Sequence, residues 1–164
     1  MWQKVLTMAA IFACPLVHAT PCETSEYQAF DFWLGQWQVA TPDGQQAGKN
    51  SITREEGMCL LVERWQSVQG GTGQSYNFYD PQSGQWRQVW VSQGVIIDIS
   101  GGLTAEGAMR LEGDIVYHAD GRTAPFVGQW TPNEDGTVTQ AFTQWDAETE
   151  TWKPWFTGIY SRAD

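Results

Sequence analysis

The sequence predicts an all-β protein, an antiparallel up-and-down barrel of about 8–10 strands preceded by a short helix or turn. Three observations carry this expectation. Turn signals recur at short intervals: Pro42-Asp43-Gly44, Gly70-Gly71, Asp80-Pro81-Gln82-Ser83-Gly84, Gln93-Gly94, Gly101-Gly102, Asp120-Gly121 and Asn133-Glu134-Asp135-Gly136. Glycine supplies positive φ at such places, and Asp or Asn hydrogen-bonds its own backbone. Between the turns lie strand-length runs rich in Val, Ile, Thr, Trp, Tyr and Phe, and no stretch keeps helical spacing for three turns. Finally, tryptophan recurs at period two beside polar residues, which suits a cavity wall better than the aliphatic core of a sandwich.

In chain order, Lys4 followed by the apolar run Val5–Val17 and by Val17-His18-Ala19 reads as a secretory signal peptide over residues 1–19, too short to span a membrane. A lipid-modified Cys14 is the second reading. Residues 20–164 then form a single domain, long enough for a real core. Removal of Lys4 would take the formal charge from −10 to −11. Such acidity disfavours nucleic acid, which needs a cationic surface, and anionic membranes alike. Cys22 and Cys59 are the two cysteines beyond the signal, and in an oxidising compartment they are expected to pair. The expected location is therefore the periplasm or the exterior. With no Cys-x-x-Cys, no His-x-x-x-His and a single histidine (His118) after the signal, neither a metal nor a cofactor is expected.

Glu23–Gly35 is expected to hold the short helix or turn, with Phe30, Phe32, Trp33 and Leu34 on its apolar side. Two later segments share a pattern of aromatic, Asp, five residues, Trp: Tyr79-Asp80 with Trp86, and Trp145-Asp146 with Trp152. Asp caps such a turn and the two aromatics meet across the hairpin. On the strands, Trp86, Gln88 and Trp90 share one face, Glu63 and Trp65 another, and Gln140 and Phe142 a third. These faces are expected to point inward. The competing arrangement fills the interior with Leu60, Val62, Val89 and Val91.

The block Phe30-Asp31-Phe32-Trp33-Leu34-Gly35-Gln36-Trp37, with Asn50, Cys59, Glu63-x-Trp65, Ser75-x-Asn77-x-Tyr79-Asp80, Trp86-x-Gln88-x-Trp90 and the closing Trp152 to Arg162, resembles a bacterial exported lipocalin-like family of unassigned function. The resemblance implies a calycin-type barrel and no particular reaction. It also implies that Trp37 is the barrel-floor indole of Gly-x-Trp, with Arg162 stacked across it as a structural cation–π pair. In a related class of barrels a late histidine binds haem. That position is empty here, which would leave Tyr117 or His118 to serve as the axial donor.

Nucleophile motifs are missing, and Gly70-Gly71-Thr72-Gly73 lacks the Lys and following helix of a phosphate loop. The expected function is binding or carriage of a small, partly apolar molecule. Trp65, Trp86, Trp90, Trp130 and Phe142 would supply area, and Glu63, Asn77, Gln88 and Gln140 orientation. One alternative is a cyclase, isomerase or hydrolase with Glu63 as general acid–base. Asp98 is the second acid, and Glu112 beside Arg110 reads as surface pairing. Another alternative is a structural module with a filled core. For Glu63 the bland role is a cross-strand partner of Arg87 or Arg110.

Overall fold

A computed structural model describes residues 21–163. The expected signal peptide and Cys14 lie outside the described residues. A short helix α1 (Ser25–Gln28) and a 3-10 turn (Asp31–Trp33) lead into ten strands: β1 (Gly35–Ala40), β2 (Gln46–Glu55), β3 (Leu60–Ser67), β4 (Thr72–Asp80), β5 (Gln85–Ser92), β6 (Val95–Leu103), β7 (Met109–Tyr117), β8 (Thr123–Pro132), β9 (Val138–Asp146) and β10 (Thr151–Arg162). Each strand pairs antiparallel with its sequence neighbours, and β1 closes on β10 through Trp37 opposite Arg162 and Val39 opposite Tyr160. Closure leaves no unpaired edge.

Inside and outside follow the two-residue period. Trp86, Gln88 and Ile97 are buried, whereas Arg87 and Val91, at the alternate positions of β5, are exposed. The alternative in which Leu60, Val62, Val89 and Val91 fill the interior is thereby excluded. Val62 is nevertheless buried on the outer wall, between Thr53 and Tyr76 on the flanking strands.

One end of the barrel is plugged by the segment before β1. Phe30 and Trp33 are fully buried there, with ring centroids 5.0 Å apart. Phe30 meets Trp130 at 5.2 Å and Trp86 at 5.6 Å in edge-on geometry. Such aromatic pairs add about 0.5–1.5 kcal/mol each beyond simple burial. Arg54 reaches into the same end, pairs with Asp31 and donates to the Met58 carbonyl at 2.8 Å. Cys22 and Cys59 are joined by a disulfide, tying the plug segment to the turn before β3.

The Gly-x-Trp entry acts as a latch. Trp37 Nε1 donates to the Trp33 carbonyl at 2.9 Å. Arg162 lies over the Trp37 ring, 3.9 Å from its centroid, and its guanidinium donates to the Leu34 carbonyl. Gly35 makes room, because a Cβ there would overlap the Arg162 guanidinium and its φ of 133° is one that side chains rarely adopt.

One expectation about the turns needs correction. Gly101-Gly102 is not a turn. Both residues lie within β6, and Gly101 permits close approach to β7, where a Cβ would overlap the Arg110 carbonyl. The turn falls instead at Thr104–Gly107, closed by the Gly107 N–H to the Thr104 carbonyl. The two aromatic–Asp hairpins do align as expected, Tyr79 opposite Trp86 and Trp145 opposite Trp152. They face opposite ways, however: Trp86 is buried, while Trp152 is 46% exposed.

Candidate functional site

The lumen beyond the plug is a cavity of about 430 Å³, within the ~300–1,000 Å³ that small-molecule sites span. Glu63 and Trp65 of β3, Trp90 of β5, and Gln140 and Phe142 of β9 all line it. Its mouth lies at the β1–β2 and β3–β4 turns, where Gln45 and Gln69 are exposed.

The wall is hollowed by glycines that sit beneath rings. A Cβ on Gly73 would overlap the Trp90 indole, and one on Gly48 would stand 2.6 Å from the Trp65 ring. Each indole thus lies across the strand beside it and does not block the lumen. Trp155 and Phe156 are neighbours in sequence, yet both reach the cavity, because the β9–β10 register shifts between Pro154 and Phe156. A bulge of this kind re-aims one side chain.

The remaining predicted residues sit deeper. Trp130 and Trp86 belong to the plug, and the Trp86 indole N–H donates to the Glu26 carbonyl at 3.0 Å. Asn77 and Gln88 are buried in a polar belt that crosses the lumen wall. Gln88 donates to Asn77 Oδ1 at 2.7 Å, and Asn77 donates to Ser75 Oγ at 2.8 Å. Ser75 Oγ donates to Glu63 Oε2, and Asn50 Nδ2 to Glu63 Oε1, both at 2.6 Å. Asn50 also reaches the Tyr160 hydroxyl at 3.2 Å, which donates to Gln140 Oε1 at 2.5 Å. Seven side chains on six strands are joined in one chain, and each is at most 3% exposed.

Glu63 is the electrostatic centre of this belt. It faces no cation. Arg87 instead makes a bidentate pair with Asp98 on the outer wall, at 2.8 and 2.6 Å, and Arg110 pairs with Glu112. Those pairings rule out the cross-strand partners expected for Glu63, and they place Asp98 away from the lumen. Burial pushes the Glu63 carboxyl up from its ordinary 4.5 to about 7, opposed by the hydrogen bonds from Ser75 and Asn50. Burial, together with the charge of Glu63, also raises the Tyr160 phenol well above its usual range.

His118 is exposed in the β7–β8 turn, and Tyr117 donates its hydroxyl to Gln144 at 2.5 Å. Neither presents a free donor to the lumen. Among the described residues no cluster of three or more His, Cys, Asp or Glu side chains is placed to hold a metal ion, and no helix is long and apolar enough to cross a membrane.

Sequence reasoning did not single out Asn50, Ser75, Tyr160 or Trp155 as site residues. Strand β2 is polar on both faces, which hides Asn50. The adjacent aromatics Trp155-Phe156 after Pro154 were the available sign of a bulge. No protein-family model matches this chain, and no curated protein matches it.

Proposed function

We propose that this protein is an exported binding or carrier protein of the lipocalin-like kind, taking a small, partly apolar molecule into the open half of its barrel. The observation that carries the reading is the division of the lumen: one end is solid with Phe30, Trp33 and Trp130, while the other is an aromatic cavity with a polar floor. A filled-core structural module has no use for such a cavity, or for a buried carboxyl held at its base. Indole and phenyl surfaces supply area, and Glu63 and Gln140 fix orientation. The disulfide supports an oxidising, exported setting. Trp86, Asn77, Gln88 and Trp130 support the site from behind.

A second reading has one specific observation in its favour. A carboxyl titrating near 7 is tuned for general acid–base work, so Glu63 also suits a barrel enzyme. The two readings separate on Glu63→Gln. A carrier keeps binding with altered affinity, whereas an enzyme loses turnover of the compound it binds. The test of the first reading is titration with small apolar probes followed by tryptophan fluorescence. Saturable quenching is expected, and its absence across a chemically varied set contradicts a binding cavity.

A further inference from the structure

We infer that the cavity selects an organic ammonium ion, held by aromatic faces and by the Glu63 carboxylate; this rests on the binding reading above and gives it a ligand class. Three independent features converge. First, the lining carries six aromatic rings, Trp65, Trp90, Phe142, Trp155, Phe156 and Tyr160. Trp65 and Phe156 meet edge-on at 6.2 Å, and Phe142 and Trp155 lie 6.2 Å apart, so four of the rings form two contacting pairs in the lining. A ring face attracts a cation through its quadrupole, and tryptophan does so most strongly.

Second, the lining holds one carboxyl and no Lys, Arg or His. An anionic ligand would bring a second negative charge beside Glu63 with nothing to offset it. A cation supplies the counter-charge that the fold withholds. Each Glu63 oxygen accepts one hydrogen bond from the belt. Carboxylate oxygens offer about two acceptor directions each, so both keep capacity for a ligand N–H or a close ammonium methyl. Third, the protein is acidic overall, at −10, which raises the local concentration of cations near its surface.

The groups around Glu63 define how binding responds to pH. Asn50 on β2 and Ser75 on β4 do not titrate, and Tyr160 on β10 is a phenol held protonated by burial. Lys49 and Arg64, on the two strands that carry Asn50 and Glu63, are exposed on the outer wall. A cation entering below pH 7 therefore displaces the Glu63 proton into solvent. Its affinity rises with pH and levels off above the Glu63 value, while a neutral ligand of the same shape has no such dependence.

The probe pair is choline and 3,3-dimethylbutan-1-ol, which share a shape and differ in charge, with 3,3-dimethylbutanoate as the anionic control. Calorimetric titration of the whole protein at pH 8 should give choline affinity about tenfold or more above that of the alcohol. Choline affinity should fall about tenfold between pH 8 and pH 5.5, with proton release at the lower pH. Glu63→Gln should weaken choline binding and abolish its pH dependence, leaving only the preference that the ring faces supply. If the alcohol binds as well as choline, or the butanoate binds better, the ammonium assignment fails while the cavity reading stands. If none of the three binds at millimolar concentration, both fail. The comparison of charges on the unaltered protein decides the matter even if the variant folds poorly.

Discussion

Glu63 makes the folded protein sensitive to pH in an unusual direction. Its carboxyl is displaced from 4.5 to about 7, and at 1.36 kcal/mol per unit this corresponds to about 3 kcal/mol. The folded state holds a proton that the unfolded chain releases above its ordinary value. Stability from this group is therefore full below about pH 4.5, declines as pH rises to about 7, and is flat beyond. The displaced surface carboxylates, among them Asp43, Asp80, Asp135 and Asp146, are lowered by hydrogen bonds from neighbouring hydroxyls and backbone N–H groups. Their effect has the opposite sign and falls below about pH 4, outside a comparison made between pH 5 and 8. Glu63→Gln keeps the shape and removes the charge. Asn50 can turn its amide so that Oδ1, which is unpartnered, accepts from the new N–H. Urea unfolding monitored by tryptophan fluorescence at pH 5, 6, 7 and 8 measures both proteins. The wild type should lose up to about 3 kcal/mol across the range, and the variant should be nearly flat and the more stable of the two at pH 8. Wild-type stability that rises with pH, or a variant weaker at pH 8, refutes a desolvated, uncompensated carboxylate.

Other consequences can be measured in the same way. Replacing Cys22 and Cys59 by Ser opens a loop closed over 37 positions, and denaturant unfolding should show a loss of about 4 kcal/mol in the chain-entropy model. Arg162→Ala removes the cation over Trp37 and should cost about 0.5–2 kcal/mol without changing affinity for a lumen probe, since the latch lies outside the cavity lining. Gly73→Ala drives a methyl into the Trp90 ring, so it should destabilise by about 1–3 kcal/mol and weaken probe binding as the indole is pushed into the lumen. Phe30→Ala empties the centre of the plug, and a loss of about 3–5 kcal/mol should appear as a lowered midpoint of unfolding.

The barrel was legible because its signals are local. Asp-containing turns and the two-residue period of Trp86, Gln88 and Trp90 need no knowledge of distant chain. Glu63, Trp65, Gln140 and Phe142 were legible as lumen residues for the same reason. The division of the lumen was not legible. Trp86 and Trp130 follow the same alternation as Trp90, and only the returning segment with Phe30 and Trp33 decides which indoles are sealed into the plug. The polar belt was hidden too, since Asn50, Ser75 and Tyr160 meet Glu63 only through closure of β2 to β4 and of β10 onto β1. Gly101-Gly102 misled because a glycine pair marks a close strand approach as readily as a turn.

The half-filled lumen is tested most directly by nuclear magnetic resonance of the indole N–H groups during titration with 3,3-dimethylbutan-1-ol or choline. Signals of Trp65, Trp90 and Trp155 should move with a common saturating curve, while those of Trp33 and Trp130 stay fixed. Movement of the Trp33 and Trp130 signals, or stillness of all five with every probe, would contradict a cavity above a sealed aromatic plug.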